Sequence, residues 1–381
     1  MNNYKNNWNI KTSLPVEYVI KTSNNIFSEN NLDILSYGNQ DKDRRRLVVV
    51  DKEVAHFYLD KIKAYFDHHK IIYRIIFLDG GEENKNLKNL LYLLEEIEKF
   101  GISRKNEPII GIGGGVVLDI LGLASTLYRR SIPYIRIPTT LLGIVDVSVA
   151  AKTGINFMDR RNRLGSYYPP IATLLDKNFI KTLQPIEISS GLGEILKMAV
   201  IKDSRLFNII EKDGSLLLKS KFNCQCADEV ISRSIEGMKV ELENNLWEKD
   251  LKRVVDFGHS FSPIIEMRSI NNNNVATLTH GQAVTLGVIF SSCISFIRKT
   301  MSYEDLLRIV KTAQSMGLPT YHPSFVDSLL LLESLNDTVK HRNGNQNLPT
   351  PKEIGESYFI NDLTFNEINE TIKIFKQING E

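Results

Sequence analysis

The 381-residue chain has few cysteines and tryptophans, and its charges almost cancel. It contains three cysteines and two tryptophans, and 47 basic residues stand against 45 acidic ones, for a net charge of +2. So small an excess gives no reason to expect nucleic acid or an acidic membrane surface as a partner. No run of 18 or more apolar residues occurs, so no membrane-spanning segment is expected.

The three cysteines are Cys224, Cys226 and Cys293. An odd number, with two separated by a single residue, is a poor disulfide framework and indicates a reducing compartment. A Cys-x-Cys pair can bind a metal, but no second pair completes such a site, so an inert role is favoured. The first ten residues, MNNYKNNWNI, lack the apolar core of a signal peptide. We therefore expect a cytoplasmic protein.

The first half of the sequence alternates short apolar runs with amphipathic stretches. Strands are predicted at 46–51, 73–79, 108–115, 134–142 and 172–176, and a helix at 86–101 that ends at Gly101. Alternation of this kind predicts parallel strand pairing and a doubly wound sheet.

The second half is predicted to be mostly α-helical. The 3.6-residue periodicity appears at 187–211, 226–244, 282–299 and 303–315, and four asparagines at 271–274 mark a loop. A change of pattern near residue 180 predicts two domains, 1–182 and 183–381. The functional site is expected in the cleft between them.

A glycine-rich turn in GIGGGVVLDILG (111–122) lies between a predicted strand and a predicted helix. Glycines let the backbone approach a pyrophosphate, and the helix N-terminus supplies free N–H groups. A tight turn without a ligand is the alternative. Asp51, at another strand end, could hold a ribose hydroxyl pair, and Glu82 and Lys85 follow a third. A dinucleotide is expected at this edge of the sheet.

Two histidines adjoin glycines at predicted helix starts, His259 in DFGHSF and His280 in THGQ. Glu194 and Lys197 lie one helical turn apart in SGLGEILK. One glutamate and two histidines can bind Zn²⁺ and leave a position for a substrate oxygen. A structural role is the alternative for each residue alone, and the three together favour a metal. Four other histidines are expected at the surface: His56, His68, His69 and His322.

Basic and amide side chains between residues 129 and 163 suit a phosphate group. A solvated basic face is the alternative. It fits Arg160 and Arg163 better than Lys152, whose neighbours are small and apolar. The group comprises Arg129, Arg130, Lys152, Asn156, Arg161, Asn162 and Arg163, with Thr139, Thr140 and Asp146 nearby.

Five sequence blocks together resemble the sugar phosphate cyclases, the superfamily of 3-dehydroquinate synthase. They are GGGVVLD, IPTTLLGIVDVSVAAKTGIN, SSGLGEILK, DFGHSF and THGQAV, and the likeness covers roughly residues 45–345. The resemblance implies an α/β N-terminal Rossmann-like domain with a parallel sheet that binds NAD. It also implies a mostly α-helical C-terminal domain, a Zn²⁺ or Co²⁺ ion, a small sugar phosphate substrate and a homodimer.

The resemblance also implies roles for individual residues. The metal ligands would be Glu194, His259 and His280. NAD would contact Asp51, Glu82, Lys85, Gly114, Gly115, Val116, Asp119, Thr139, Thr140, Asp146, Lys152 and Arg161. The substrate would contact Asp146, Lys152, Asn162, Glu194, Lys197, Leu242, Asp256, His259, His280 and His341, with Arg130 reaching the neighbouring subunit's phosphate. The catalytic residues would be Asp146, Lys152, Lys197 and His259.

Four positions depart from dehydroquinate synthases and resemble the branch that cyclises sedoheptulose 7-phosphate. Pro263 replaces a histidine, Asp256 an asparagine, and Leu242 and His341 replace lysines. A substrate carboxylate about 4 Å from Asp256 would be repelled by roughly 4 kcal/mol at an effective dielectric near 20. The pocket is therefore expected to fit a neutral ketose end.

Three alternatives stay open. One is 3-dehydroquinate synthase itself. Another is an NAD- and metal-dependent polyol dehydrogenase of the glycerol dehydrogenase type, which would release NADH and need no phosphate pocket. A non-catalytic sugar phosphate sensor fits the intact metal ligands less well. Gln282 stands where family members often carry glutamate, which predicts weaker support for His280.

Overall fold

The computed structural model describes residues 7–38, 44–158, 160–271 and 275–380. The strands are β1 (Val19–Thr22), β2 (Arg45–Asp51), β3 (Ile72–Leu78), β4 (Ile109–Gly113), β5 (Tyr134–Pro138), β6 (Lys152–Phe157), β7 (Arg160–Tyr167), β8 (Ala172–Leu175), β9 (Leu348–Glu353) and β10 (Glu356–Ile360). The helices are α1 (Lys52–His68), α2 (Leu87–Phe100), α3 (Gly115–Leu127), α4 (Pro185–Lys202), α5 (Ser204–Lys219), α6 (Ala227–Glu243), α7 (Ser262–Asn271), α8 (His280–Ile297), α9 (Tyr303–Ser315), α10 (Ser328–His341) and α11 (Phe365–Gln377).

The N-terminal half is built on a six-stranded sheet in the order β1-β8-β5-β4-β2-β3, and every strand pair in it is parallel. Six of the seven residues of β2 are buried, as expected for a strand covered by helices on both faces. The predicted α/β fold with a parallel sheet is confirmed. The five predicted strands occur, although the one predicted at 134–142 already ends at Pro138.

The helix predicted at 86–101 is confirmed as α2. The Asn86 side chain accepts a hydrogen bond from the Asn89 N–H at its start, and Gly101 ends it with φ 66°. A left-handed residue of this kind is the usual helix end, and glycine adopts it without steric cost. The hairpin formed by β6 and β7 was not predicted, and neither were β1 and α1.

The C-terminal half is mostly helical, as predicted, with an added hairpin of β9 and β10. The stretch 187–211 is helical, as its periodicity predicts, but it forms two helices, because Asp203 adopts an extended conformation and separates α4 from α5. Its side chain accepts a hydrogen bond from the Leu206 N–H and so caps α5. Of the asparagine loop predicted at 271–274, residues 272–274 lie outside the described part of the chain. The boundary between residues 182 and 183, which stays a prediction, lies just before α4.

Helix α8 is the one described helix long and apolar enough to cross a membrane by length and composition, and 78% of it is buried in the structure. Such burial is typical of a core helix. It packs against α4 so closely that the two backbones touch. A Cβ on Gly281 would lie 1.8 Å from the Ser190 carbonyl oxygen, and one on Gly193 would lie 2.3 Å from the Gly281 carbonyl oxygen. These distances leave no room for a side chain at either glycine.

We predict that Gly281→Ala separates α4 from α8 and lowers the free energy of unfolding. The clash is with backbone atoms, which cannot rotate away, so the cost should be at least the ~1–3 kcal/mol typical of overpacking. Denaturant unfolding followed by circular dichroism measures it. Gly237→Ala in α6 is the matched control, because its Cβ would meet only the Met198 side-chain methyl, at 3.1 Å. Equal stability losses in both variants would contradict the close-packing argument.

Candidate active site

A cavity of about 1630 Å³ lies between the carboxyl edge of the parallel sheet and the helical half. Its walls come from both halves of the chain. The N-terminal half supplies the strand ends of the sheet and the separate β6–β7 hairpin, and the helical half supplies α4, α6, α7, α8 and α10. The cleft predicted between the two halves is therefore present.

The glycine turn and Asp51 flank the point where the strand order of the sheet reverses. Strand β2 leads to β3 on one side, and β4 lies on its other side. Open α/β sheets bind ligands at such a point. Gly114 caps the start of α3, and a Cβ on it would lie 3.1 Å from Thr140. Asp51 caps α1 through the Glu53 N–H, and burial raises the pKa of its carboxyl.

Most side chains predicted to contact NAD line this end of the cavity. Lys85 is buried, and its Nζ lies 2.6 Å from Asp119 and 2.7 Å from Asn162 Oδ1. Thr139 is buried and is not part of the cavity surface. The predicted NAD residues on the surface are Asp51, Glu82, Lys85, Gly114, Gly115, Val116, Asp119, Thr140, Asp146, Lys152 and Arg161.

Glu194, His259 and His280 form a compact cluster whose ligand atoms all lie within 4.8 Å of one another. Glu194 Oε1 is 3.6 Å from His259 Nε2 and 3.3 Å from His280 Nε2. Glu194 is 2% exposed, and its Oε1 atom, which faces the two imidazoles, makes no hydrogen bond within the described residues. A buried carboxylate oxygen without a hydrogen bond requires another partner. This donor set suits a tetrahedral metal with one position open.

Burial and neighbouring charges shift the pKa values of the ionisable groups around this cluster. Burial opposes ionisation of Glu194, but Lys197, with Nζ 2.5 Å from Oε2, and His280 hold its pKa well below the usual range. Burial lowers the pKa of His259 to about 3. Burial also raises the pKa of Asp146, and the nearby Glu194 carboxylate adds to this. Neutral imidazole at His259 is the form that ligates a metal.

His280 is oriented by Glu266, a residue that the sequence analysis missed. The Glu266 Oε2 atom lies 3.0 Å from His280 Nδ1 and 2.7 Å from Arg161 NH1. Burial and Arg161 oppose protonation of His280, but Glu266 and Glu194 outweigh them and raise its pKa to about 9. The expected link between Gln282 and His280 is wrong, since Gln282 accepts a hydrogen bond from the Thr279 N–H and caps α8.

The expected role of Asp256 as an unbalanced negative charge is also wrong. Its carboxylate is held by Arg253, with NH2 2.6 Å from Oδ1, and by Arg342, with NH2 3.2 Å from Oδ2. Burial opposes its ionisation, but the two arginines hold its pKa below the usual range. The two cations offset the repulsion that a free Asp256 would exert on a substrate carboxylate.

The small, apolar neighbours of Lys152 suggested a less solvated position than those of Arg160 and Arg163, and this is wrong. The Lys152 side chain is 52% exposed at the cavity, and its Nζ lies 2.9 Å from Glu248 Oε1. Glu248 also contacts Arg253 and accepts a hydrogen bond from the Tyr167 hydroxyl at 2.9 Å. The sequence analysis did not identify Glu248 as a site residue.

The other predicted substrate residues fall into three positions. Asn162, Lys197, Leu242, Asp256, Pro263 and His341 line the cavity with His259 and His280. His341 is half-exposed and contacts Arg163. Glu194 lies behind the two histidines and is not part of the cavity surface. Arg130 lies outside the cavity, in a turn where Arg129, Arg130 and Ser131 all have positive φ.

One histidine expected at the surface is buried. His322 is 4% exposed, its Nε2 lies 3.1 Å from the Ala276 carbonyl oxygen, and its Nδ1 accepts a hydrogen bond from the Ser324 N–H. It caps the 3₁₀ turn Pro323–Val326. The three cysteines are free, and the Cys224 and Cys226 sulfurs lie 3.5 Å apart.

The fold and the site define a class of proteins that join a glycine-rich turn at the carboxyl edge of a parallel sheet to a Glu-His-His cluster across a cleft. The 3-dehydroquinate synthase N-terminal family model matches residues 75–190, and the 3-dehydroquinate synthase C-terminal family model matches residues 191–340. The chain belongs to the 3-dehydroquinate synthase family.

Two relatives and one solved structure show how similar this chain is to individual members of the family. A 2-epi-5-epi-valiolone synthase from Actinomyces sp. is 39% identical over 98% of this chain and 99% of its own length. A 3-dehydroquinate synthase from Prochlorococcus marinus (strain MIT 9515) is 32% identical over 84% of this chain and 86% of its own. The structure of 2-epi-5-epi-valiolone synthase from Streptomyces hygroscopicus subsp. jinggangensis 5008, with NAD⁺ and Zn²⁺ bound, superposes with a TM-score of 0.92 at 36% identity, over 97% of this chain and 99% of that one.

We predict that Glu194→Ala, His259→Ala and His280→Ala each lower the bound metal and abolish turnover, because each removes one of the three ligand side chains. Metal content after dialysis, measured by inductively coupled plasma mass spectrometry, checks this. His56→Ala, at an exposed position of α1, is the control and should keep its metal. Unchanged metal in all three ligand variants would reject the site.

Proposed function

We propose that the protein is a sugar phosphate cyclase that converts sedoheptulose 7-phosphate to 2-epi-5-epi-valiolone or a stereoisomer of it. The reaction combines transient oxidation of a secondary alcohol, β-elimination of phosphate, reduction and intramolecular aldol cyclisation. The observation that carries the proposal is the full-length similarity to 2-epi-5-epi-valiolone synthases. Leu242, Asp256, Pro263 and His341 on one cavity, beside the Glu-His-His cluster, support it.

The proposed cofactors are NAD and Zn²⁺ or Co²⁺. The Glu194 Oε1 atom, which makes no hydrogen bond within the described residues, and the two adjacent imidazoles fit a divalent metal, and the glycine turn with Asp51 fits a dinucleotide. When bound, NAD supplies reversible hydride acceptance, and the metal polarises a substrate oxygen. Because the hydride is returned to the substrate, the cofactor is regenerated in each turnover.

The chain's own side chains position the substrate and hold protons. Burial opposes the charge on Lys197, but Glu194 and Asp146 raise its pKa, so its ammonium can donate to a substrate oxygen. The raised pKa of Asp146 lets that carboxyl hold a proton beside Lys197. We propose Lys152 and His259 as further catalytic residues, since both line the same cavity. The enclosing cleft keeps water from reactive intermediates.

The wall opposite the glycine turn suits hydroxyl groups better than a carboxylate. Leu242 supplies no cation, and Pro263 fixes its own φ and donates nothing. The Arg253 donors are directed at Asp256 and Glu248, so this buried guanidinium is already paired. The Asp256 carboxylate can accept hydrogen bonds from hydroxyls. This arrangement favours a neutral ketose end.

We also propose that the enzyme is a cytoplasmic homodimer. Arg130 lies outside the cavity of its own chain, in a turn of three residues with positive φ. Such strained turns persist where the surrounding structure requires them. In the proposed dimer, Arg130 reaches the phosphate bound by the neighbouring subunit.

The cofactor prediction separates a cyclase from a polyol dehydrogenase. We expect turnover of sedoheptulose 7-phosphate with catalytic amounts of NAD⁺ and no steady rise in absorbance at ~340 nm, because the hydride returns to the substrate. Phosphate release and NADH absorbance are recorded in the same assay. Stoichiometric NADH from a plain polyol would favour the dehydrogenase.

The substrate prediction separates the two cyclase alternatives. We expect phosphate release from sedoheptulose 7-phosphate and none above background from 3-deoxy-arabino-heptulosonate 7-phosphate, because a buried carboxylate without a free cation costs several kcal/mol. NMR identifies the product. Asp256→Asn should lower the ketose activity, since it removes the carboxylate that accepts from hydroxyls and leaves Arg253 and Arg342 without their counter-charge. Faster turnover of the carboxylate substrate by the unmodified enzyme would make it a dehydroquinate synthase.

A further inference from the structure

A continuous series of ionic contacts joins the dinucleotide end of the cavity to the proposed metal cluster. Arg161 Nε lies 3.0 Å from Glu82 Oε1, and Arg161 NH1 lies 2.7 Å from Glu266 Oε2. The same Glu266 oxygen lies 3.0 Å from His280 Nδ1. One guanidinium therefore binds a carboxylate of each site.

This series of side-chain contacts crosses from one half of the molecule to the other. Glu82 follows β3 and Arg161 lies on β7, whereas Glu266 lies on α7 and His280 begins α8. The side chains of Glu82, Arg161, Glu266 and His280 are 16%, 14%, 2% and 17% exposed. So little solvent leaves these charges weakly screened, and the loss of the central cation would remove a counter-charge from both carboxylates.

The atoms used at each end leave room for the two ligands. Glu82 Oε1 binds both Arg161 and the Asn156 amide, which leaves Oε2 for a ribose hydroxyl from the cavity. Glu266 Oε2 and Arg161 NH1 both contact His280 at Nδ1, at 3.0 and 2.6 Å, which leaves Nε2 directed at Glu194 Oε1, 3.3 Å away, for the metal. A carboxylate on the far nitrogen of a metal-binding histidine fixes its tautomer and orientation.

We propose that Arg161 couples dinucleotide binding to metal binding, so that each ligand raises the affinity for the other. A dinucleotide that binds Glu82 desolvates and immobilises the Glu82–Arg161 pair. The fixed guanidinium then holds Glu266, and Glu266 holds the His280 ring for the metal. The second ligand therefore binds side chains that are already ordered and loses less conformational entropy. This inference rests on the proposed cofactors and concerns a linkage between them.

The test measures Co²⁺ affinity of the apoprotein with and without saturating NAD⁺, from the visible absorption of bound cobalt. We expect NAD⁺ to tighten Co²⁺ binding about tenfold in the unmodified protein. By thermodynamic linkage, Co²⁺ must tighten NAD⁺ binding by the same factor, measured calorimetrically. In Arg161→Met both factors should fall to about one.

Three further variants give the test its resolution. Arg160→Met, at the adjacent position of β7, loses a cation that pairs with Asp337 and should keep the coupling. Arg161→Lys keeps the charge but lacks the planar fork that serves two carboxylates, so its coupling should fall between those of the Arg161→Met variant and the unmodified protein. Glu266→Gln should weaken Co²⁺ binding roughly 10- to 100-fold and leave NAD⁺ affinity without metal unchanged.

The outcomes separate this inference from the proposed function. If both ligands bind the unmodified protein independently, the coupling is disproved and the cofactor assignment stands. Coupling that survives in Arg161→Lys and Arg161→Met assigns it to other residues and overturns the role of Arg161. If the unmodified protein binds neither ligand, the proposed function fails and this inference falls with it.

Discussion

The active site depends on backbone contacts between elements that carry no side chain where they meet. A Cβ on Gly281 would lie 1.8 Å from the Ser190 carbonyl oxygen, and one on Gly287 would lie 2.1 Å from the Gly258 carbonyl oxygen. The first contact presses α4 against α8, and the second presses α8 against the turn before α7. Each proposed metal ligand is adjacent in sequence to a glycine in such a contact: His259 follows Gly258, His280 precedes Gly281, and Glu194 follows Gly193, where an added Cβ would lie 2.3 Å from the Gly281 carbonyl oxygen. The close packing therefore sets the ligand separations before any metal binds.

Burial of so many charges at one site is stabilised by pairing. Lys197 and Glu194 are each 2% exposed and lie 2.5 Å apart, and Arg161 stands between two carboxylates. Breaking such a pair costs about 3–5 kcal/mol, because the remaining charge stays buried. Burial keeps the imidazole of His259 neutral, and Glu266 fixes the orientation of the His280 ring, as a metal site requires. Stability and chemistry thus draw on the same contacts.

Local pattern was enough to predict the parallel sheet, the glycine turn, the end of α2 at Gly101 and the grouping of Glu194, His259 and His280. Long-range partners were beyond it. Arg342 binds Asp256 across 86 positions, and Arg161 binds Glu266 across 105. Glu266 has no local signal, since an isolated glutamate on a short helix resembles any surface residue. Gln282 was misassigned because the sequence does not separate two roles for this side chain. It could support the nearby His280, or it could complete a capping box with Thr279, as it does.

The proposed substrate preference of this cavity rests on which polar groups of its wall are left unpaired. An aspartate alone at position 256 would repel any anion, yet Arg253 and Arg342 offset its charge. The N–H groups of those arginines in turn bind Asp256, Glu248 and the Gln346 and Asn347 carbonyl oxygens. A wall whose cations are already paired offers a carboxylate no counter-ion but still offers hydroxyls an acceptor. In the proposed function, discrimination between a hydroxyl-bearing and a carboxylate-bearing substrate therefore follows from the existing pairing of the two arginines, together with the apolar side chain of Leu242.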